Sequence, residues 1–220
     1  MIEIIPAILV KTREELEATI RRLEGHTERV HLDIADGIFV ETKTIDGFED
    51  IEQLGTNLKF DIHLMVSKPE NHIARWLDLP AGRQERLADR FIFHAESTHK
   101  HIEVINLIKE GDASAGMAIN PDTSADTIKD YVDLLDFTMF MSVIPGRQGA
   151  PFVPSVMEKI KDFHFYYPDK PIMVDGGVSD KTAPDLCAAG ATMLVSGSYV
   201  LKGEIKDQIA KLKNACQHIT

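Results

Sequence analysis

Imidazole and carboxylate side chains recur at alternate positions inside three apolar stretches of the sequence. His31 and Asp33 interrupt the first stretch, Asp61 and His63 interrupt the second, and Asp175 ends the third. Residues i and i+2 of a β-strand face the same side, so each stretch would present its ionisable groups together. Buried strands cannot carry such groups without partners, and a divalent metal ion satisfies imidazoles and carboxylates at once. The pattern therefore predicts one metal site at His31, Asp33, His63 and Asp175.

Two further side chains on these strands have open assignments. Asp61 lies one inward position below His63, where it could orient a metal-binding histidine or form a purely structural ion pair. His94 ends a fourth apolar stretch and, taken alone, fits a hydrogen-bonded core histidine as well as it fits a site residue.

The elements that must position these residues alternate between strand and helix along the whole chain. This alternation predicts parallel βαβ units. Eight units in 220 residues predict an α/β protein with a closed (β/α)8 TIM barrel, formed as a single domain by residues 1–220. An open doubly wound sheet is the structural alternative. A turn-like insertion is predicted at 79–86. The predicted strands are 4–9, 29–34, 58–65, 90–94, 115–119, 137–143, 171–175 and 193–196.

Glycine-containing turns follow the sixth, seventh and eighth predicted strands, at the end of the barrel where active sites of this fold lie. Glycines let backbone N–H groups approach a ligand closely, and helix N-termini favour negative charge. Barrels often bind phosphate in the loops after strands seven and eight. The sequence thus predicts an anion site beside the metal site. Its candidate residues are Gly146, Gly149, Gly176, Gly177, Gly197 and Ser198.

The composition argues against several classes of protein. A formal net charge of −11 disfavours a nucleic-acid partner, which requires a basic surface. No apolar run approaches the roughly 18 residues that span a membrane, and no secretory signal pattern precedes the first strand. We therefore expect a cytoplasmic protein with no membrane partner. Cys187 and Cys216 lack the spacing of metal ligands, so we expect them to be free thiols.

Seven segments of the chain together resemble the ribulose-phosphate 3-epimerase family, nearly from end to end. They are His31-Leu-Asp-Ile-Ala-Asp-Gly37, Asp61-Ile-His-Leu-Met-Val66, Phe93-His-Ala-Glu96, Ala118-Ile-Asn-Pro-Asp-Thr123, Met141-Ser-Val-Ile-Pro-Gly146, Val174-Asp-Gly-Gly-Val178 and Val195-Ser-Gly-Ser198. The resemblance implies a (β/α)8 barrel of the ribulose-phosphate-binding type. It also implies an isomerase that interconverts D-ribulose 5-phosphate and D-xylulose 5-phosphate with one divalent metal ion.

The resemblance also implies roles for individual residues. The family's metal ligands match His31, Asp33, His63 and Asp175, and its acid/base carboxylates match Asp33 and Asp175. Mixed nitrogen and oxygen ligands suit Zn, Fe, Mn and Co alike, so the sequence does not select the metal. The family favours a homo-oligomer and a small phosphorylated sugar as substrate. The expected substrate-binding residues are Ala7, Met65, Met141, Gly146, Arg147, Gln148, Gly149, Gly176, Gly177, Gly197 and Ser198.

The chemistry of epimerisation requires such an arrangement. Inverting a carbon next to a ketone removes its proton on one face and returns a proton on the other, so two acid/base groups must flank the substrate. In an eight-stranded ring, the strands that carry Asp33 and Asp175 are three steps apart and approach from nearly opposing walls. Met65 and Met141 would form a water-poor wall around the enediolate, although ordinary barrel packing explains methionines there equally well.

Departures from the family pattern concern the surfaces that fit the sugar. Ala7 stands where the family has a serine, and Ala35 stands where it has a methionine. The loop Pro145-Gly-Arg-Gln-Gly-Ala150 has one glycine fewer than the family's and gains Arg147. Three interpretations stay open: an epimerase of ribulose 5-phosphate, a 3-epimerase of another ketose phosphate such as a hexulose 6-phosphate, and a phosphosugar-binding barrel without turnover.

Arg147 introduces a cation next to the predicted anion site of an acidic protein. A guanidinium binds phosphate in a two-pronged manner. We expect Arg147 to close over the substrate phosphate and partly replace the hydroxyl missing at Ala7, with a solvated arginine at the loop tip as the alternative.

Overall fold

Eight parallel strands form a closed barrel, in which each strand pairs with its neighbours in chain order and the last pairs with the first. The computed structural model describes residues 2–77, 86–147 and 149–217. The closed barrel confirms the predicted (β/α)8 fold and excludes the open doubly wound sheet. The strands are β1 (Glu3–Ile8), β2 (Arg29–Ala35), β3 (Lys59–Met65), β4 (Ala88–His94), β5 (Ser114–Ile119), β6 (Phe137–Met141), β7 (Ile172–Asp175) and β8 (Met193–Ser196).

Helices connect the strands and cover the outside of the barrel. They are α1 (Arg13–Leu23), α2 (Phe48–Leu54), α3 (Glu70–Leu77), α4 (His101–Glu110), α5 (Val156–Tyr166), α6 (Ala183–Ala188), α7 (Ser198–Leu201) and α8 (Ile205–Gln217). Two 3-10 helices, Ala95–Ser97 and Ala125–Tyr131, follow β4 and β5.

The alternation of residues along the strands divides the core into two layers. Apolar side chains such as Leu32 and Ile62 point outward and pack with the helices. The inward positions between them form a second cluster inside the barrel. Its members are Ile5, Ala7, Ile92, Ala118, Phe137, Met139, Met141, Val143, Met173, Met193 and Val195. Because these positions alternate, the ionisable residues of β2 and β3 fall on the inward face, as predicted.

The barrel interior is filled tightly enough to require a glycine on β5. A Cβ atom added to Gly116 would lie 2.4 Å from the ring of Phe137 on the neighbouring strand. Phe137 is 3 % exposed, so its ring has taken the space that a side chain at position 116 would need.

The prediction of free thiols is wrong. Cys187 of α6 and Cys216 of α8 are joined by a disulfide, with their Cα atoms 5.9 Å apart. Neighbouring helices bring the two residues together although 29 positions separate them in sequence. Spacing along the chain carried no information on this contact because it forms between two elements.

Two other expectations concern the insertion at 79–86 and the absence of a membrane-spanning segment. The predicted insertion at 79–86 falls almost entirely in 78–85, outside the described residues. Within the described ranges, every helix is too short or too polar to cross a membrane.

Candidate metal centre and active site

Four ionisable side chains from three strands meet at the C-terminal end of the barrel. His31 and Asp33 come from β2, His63 from β3, and Asp175 is the last residue of β7. Each offers one ligand atom, and these atoms all lie within 4.8 Å of one another. Asp33 pairs in register with His63, which places the two side chains side by side. The structure therefore assembles the four residues that the sequence predicted to share a site.

His63 lies at the centre of the contacts in this group. Its Nδ1 is 2.8 Å from Oδ1 of Asp33 and 3.9 Å from Oδ2 of Asp175. Nε2 of His31 lies 3.5 Å from the same Asp33 oxygen. One carboxylate thus faces two imidazoles, and the second carboxylate faces the same ring nitrogen from another wall of the barrel.

The donor set fits a divalent metal ion. Both ring nitrogens of His31 are buried and lack a hydrogen-bond partner among the described residues. An imidazole without partners is costly in a protein interior, and coordination to a cation removes that cost. Two nitrogen donors and two carboxylates are a common ligand set for Zn, Fe, Mn and Co, so the residues present match the predicted cofactor class.

Burial changes the pKa of every member of the group. It raises the pKa of Asp33 to about 8. The pKa of Asp175 rises to about 7, because of burial and because of the neighbouring Asp33 charge. Burial lowers the pKa of His63 to about 4 and that of His31 well below its ordinary value. In the protein alone, both carboxyls therefore retain their protons more readily than an exposed aspartate, while the imidazoles stay neutral.

A pocket opens over these four residues and is bounded by the loops after β1, β6, β7 and β8. All the predicted substrate-binding residues that the structure describes line it; Gln148 lies outside the described residues. Apolar side chains such as Val143, Val178 and Val195 complete its wall. The predicted residues in the lining are Ala7, Met65, Met141, Gly146, Arg147, Gly149, Gly176, Gly177, Gly197 and Ser198.

The turn after β7 brings backbone to the floor of this pocket. Gly176 has φ +108° and Gly177 has φ +61°, conformations that other residues rarely adopt. A Cβ atom on Gly176 would lie 2.4 Å from Val143 Cγ2. The Ser142 hydroxyl holds the turn by hydrogen bonding to the carbonyls of Asp175 and Gly176. The same turn thus positions Asp175 and presents bare backbone to the pocket.

Arg147 contacts a carboxylate of the protein at the mouth of the pocket. Its guanidinium donates to Oε2 of Glu41 at 2.8 Å. Both side chains are largely exposed, at 75 % and 88 %. The pair joins the loop after β2 to the loop after β6 above the four-residue group.

Asp61 does not belong to this site. Its carboxylate lies 2.7 Å from Arg29, the first residue of β2, and 3.7 Å from Arg90, so it is directed towards the N-terminal ends of the strands. Burial raises the pKa of Asp61 to about 6, against the opposing effect of the two guanidinium groups. The structure thus supports the structural ion pair, and the interpretation of Asp61 as an acceptor for a metal-binding histidine is wrong.

His94 and Glu96 are site neighbours that the sequence analysis did not assign. Nε2 of His94 lies 2.9 Å from Nε2 of His63, and Nδ1 of His94 lies 3.5 Å from Oε2 of Glu96. The signal was present in the segment Phe93-His-Ala-Glu96, since inward parity on β4 points His94 into the barrel.

Comparison with known proteins gives one consistent result. The sequence model described as "Ribulose-phosphate 3 epimerase family" matches residues 3–201. The chain is 35 % identical to "Ribulose-phosphate 3-epimerase" of Bacillus subtilis (strain 168), over 98 % of this chain and 100 % of that protein. It is 33 % identical to the protein of the same name from Eremothecium gossypii, covering 96 % and 91 %.

Solved structures share the fold at low identity. One is 3-hexulose-6-phosphate synthase, with TM-score 0.67 and 12 % identity, covering 97 % of this chain and 99 % of that one. Another is 3-keto-L-gulonate-6-phosphate decarboxylase from Vibrio cholerae, with TM-score 0.68 and 13 % identity, covering 100 % and 98 %. At this identity the likeness concerns the barrel alone.

Proposed function

The chain belongs to the ribulose-phosphate 3 epimerase family, and from that membership we propose that it interconverts D-ribulose 5-phosphate and D-xylulose 5-phosphate. It is an isomerase of the racemase and epimerase class that acts on carbohydrates. The observation that carries the proposal is the group His31, Asp33, His63 and Asp175, whose ligand atoms lie within 4.8 Å of one another under the pocket.

The proposed site includes one divalent metal ion. His31, Asp33, His63 and Asp175 would hold it. When bound, the ion supplies positive charge that stabilises the oxygens of an enediolate. Support for this assignment comes from the unpartnered ring nitrogens of His31 and from the mutual approach of two buried carboxylates, which a cation would relieve.

Asp33 and Asp175 are proposed to move the proton. One carboxylate removes the proton from C3 of the ketose, and the electrons of that C–H bond enter the enediolate. The other residue, protonated beforehand, returns its proton to C3 on the opposite face. The mechanism requires one protonated and one ionised carboxyl at neutral pH, and the proximity of the two groups favours that state, because the Asp33 charge raises the pKa of Asp175.

The remaining pocket residues would bind the substrate and exclude water. Met65 and Met141 lie on the wall next to the carboxylates and would pack against the sugar carbons. Backbone N–H groups of the glycine turns would bind the phosphate, because those turns leave room for a close approach. Arg147 would exchange Glu41 for the substrate phosphate when the substrate enters.

A 3-epimerase of a longer ketose phosphate is the second candidate. Ala7 lines the pocket, and its small apolar side chain offers no hydrogen bond to the substrate. Without a serine hydroxyl at this position, the pocket lacks one contact that would select between substrates. Homo-oligomer formation and a single-domain chain remain predictions.

Exchange in heavy water across a panel of ketose phosphates tests the proposal. D-ribulose 5-phosphate and D-xylulose 5-phosphate should each incorporate solvent deuterium at C3 and give the other epimer. A hexulose 6-phosphate that reacts faster than the two pentulose phosphates would instead support the second candidate, a 3-epimerase of a longer ketose phosphate. Absence of exchange with every member of the panel, for metal-loaded protein, would contradict an epimerase.

A further inference from the structure

His94 is a buried histidine that the proposed reaction does not use. It ends β4, and its side chain is fully buried. Its Nε2 lies 2.9 Å from Nε2 of His63. Nδ1 of His63 faces the other way, 2.8 Å from Asp33 and 3.9 Å from Asp175. The two ring nitrogens of His63 therefore have different neighbours, carboxylates on one side and His94 on the other.

A hydrogen bond between two imidazoles constrains where their protons lie. One of the two facing nitrogens must carry a proton and the other must accept it. If His63 gives Nδ1 to a metal ion, its remaining proton lies on Nε2, and Nε2 of His94 must be the acceptor. A neutral His94 then carries its own proton on Nδ1.

Glu96 is placed to accept that second proton. Its Oε2 lies 3.5 Å from Nδ1 of His94, and this buried nitrogen has no hydrogen-bond partner among the described residues. The other oxygen, Oε1, is already occupied, because it accepts from the backbone N–H of Asn120 and from the hydroxyl of Thr123. The carboxylate is thereby held with one oxygen directed at His94.

The surroundings keep this chain of groups in place. The loop that holds Glu96 is itself fixed by Lys159, whose ammonium donates to the carbonyls of Asn120 and Pro121. The ring of Phe39 packs on His94 with centroids 4.8 Å apart. An arrangement supported by three separate loops is pre-organised rather than adopted on binding.

We propose that His94 and Glu96 are positioning residues for the metal centre, on the premise of the function proposed above. Glu96 holds the proton of His94 on Nδ1, and His94 in turn accepts the proton of His63 on Nε2. His63 is thereby kept in the one tautomer and ring orientation that offers Nδ1 to the ion. Groups that orient a metal-binding histidine in this way typically contribute about 10- to 100-fold to metal affinity.

Three variants and a control separate this role from simple packing. His94→Phe keeps the ring but removes the acceptor. His94→Gln restores a carbonyl oxygen near the position of Nε2, and Glu96→Leu removes the acceptor for the Nδ1 proton. His101→Phe is the control, since His101 is a neighbouring histidine whose Nε2 donates to the Ala95 carbonyl and whose ring packs on Tyr131.

Binding of Co²⁺ and Zn²⁺ alone, measured by competition with a chromophoric chelator, is the first readout. His94→Phe should bind about 10- to 100-fold more weakly than the wild-type protein. His94→Gln should recover most of that loss, Glu96→Leu should lie between the two, and His101→Phe should equal the wild type. Thermal unfolding of each metal-free variant identifies any that does not fold.

Nitrogen-15 NMR of the histidines in the Zn²⁺-loaded wild-type protein is the second readout, and it does not depend on any variant folding. The proposal expects protons on Nε2 of His63 and Nδ1 of His94. A proton on Nε2 of His94 would overturn it, as would equal metal affinity of folded His94→Phe and wild type. Failure of the wild-type protein to bind either metal would instead overturn the proposed metal centre, and this inference with it.

Discussion

Two buried aspartates on neighbouring strands have opposite surroundings. Asp61 on β3 forms a group with Arg29 and Arg90, which we call the lower end of the barrel. The two guanidinium groups face its carboxylate there. Asp33 on β2 belongs to the group His31, Asp33, His63 and Asp175, which we call the upper end. Its described ion-pair partners are imidazoles, those of His31 and His63.

The difference separates a structural carboxylate from a functional one. At the lower end the protein itself supplies the opposite charge, which offsets part of the cost of burying the Asp61 carboxylate. At the upper end two carboxylates and two neutral imidazoles lie together, and among the described residues no lysine or arginine forms an ion pair with either carboxylate, an arrangement that destabilises the protein alone. Residue type and burial are the same at both ends. What distinguishes the functional end is the charge that the protein leaves uncompensated.

The largest effect should come from the upper end. Asp175→Asn keeps the shape of the side chain and removes a proton carrier, so we expect kcat to fall by about 10²- to 10⁴-fold. Asp175 is also a proposed ligand, so metal content must be measured on the same sample. A variant that keeps both its metal and near-normal turnover would show that the two-carboxylate mechanism is wrong.

The matching change at the lower end should affect stability instead. Asp61→Asn removes one partner of Arg29 and Arg90, but Arg29 keeps Asp89 and both guanidinium groups keep Glu3. We therefore expect a loss of unfolding free energy below the about 3–5 kcal/mol that an uncompensated buried charge costs. Turnover per folded molecule should be unchanged, because Asp61 does not reach the pocket. Urea unfolding and active-site-normalised kcat measure the two quantities. A loss of metal affinity in this variant would end the contrast between the two ends.

The same substitution at the upper end should stabilise the metal-free protein. Burial raises the pKa of Asp33 from 3.8 to about 8, so the folded state holds this proton more tightly than the unfolded state. The stability that this carboxyl contributes is present below about pH 4 and is lost as the pH rises towards 8. Asp33→Asn removes that loss.

Chemical unfolding of metal-free protein between pH 4 and 8 tests whether Asp33→Asn raises the unfolding free energy as predicted. The variant should exceed the wild type by roughly 1–3 kcal/mol at pH 8, the usual cost of an unsatisfied buried group. The two proteins should converge near pH 4. The neutral buried histidines act in the opposite direction but are common to both proteins, so they cancel in the difference. A variant less stable than the wild type at pH 8 would contradict the account.

The smallest effect should come from Arg147, the exposed cation above the upper end. Arg29 at the lower end is 17 % exposed and permanently paired, whereas Arg147 is 75 % exposed and contacts Glu41 in the protein alone. A charged hydrogen bond to phosphate contributes roughly 1.5–3 kcal/mol, which corresponds to a fall in kcat/KM of about 10- to 150-fold for Arg147→Ala. Solvent exposure favours the lower figure.

An unphosphorylated ketose is the control for that variant. The loss should shrink with this substrate, because the partner of Arg147 is absent. Glu41→Gln should raise kcat/KM slightly, because Arg147 then binds the substrate phosphate without first breaking an ion pair with a carboxylate. Equal losses for both substrates would place the action of Arg147 elsewhere.

The fold and the upper site could be read from the sequence because both follow from local periodicity. Alternation of apolar and ionisable residues gave the strands to within about two residues. It also fixed which side chains point inward. Closure of the barrel then brings the inward residues at the ends of β2, β3 and β7 to one place.

The missed features all depend on contacts between elements. The partners of Asp61 follow from the register of β2, β3 and β4, which periodicity does not reveal. The disulfide between Cys187 and Cys216 depends on how α6 packs on α8. The contact of His94 with His63 depends on the orientation of two rings, and a single inward-facing histidine gave no means of choosing its partner.

The metal content of the protein tests the central claim most directly, namely that an ion completes the uncompensated upper end. Protein purified without chelators should contain about one divalent ion per chain. Chelation should abolish epimerase activity and lower the unfolding temperature, and adding back the metal should restore both. A metal-free preparation with full epimerase activity would contradict the account.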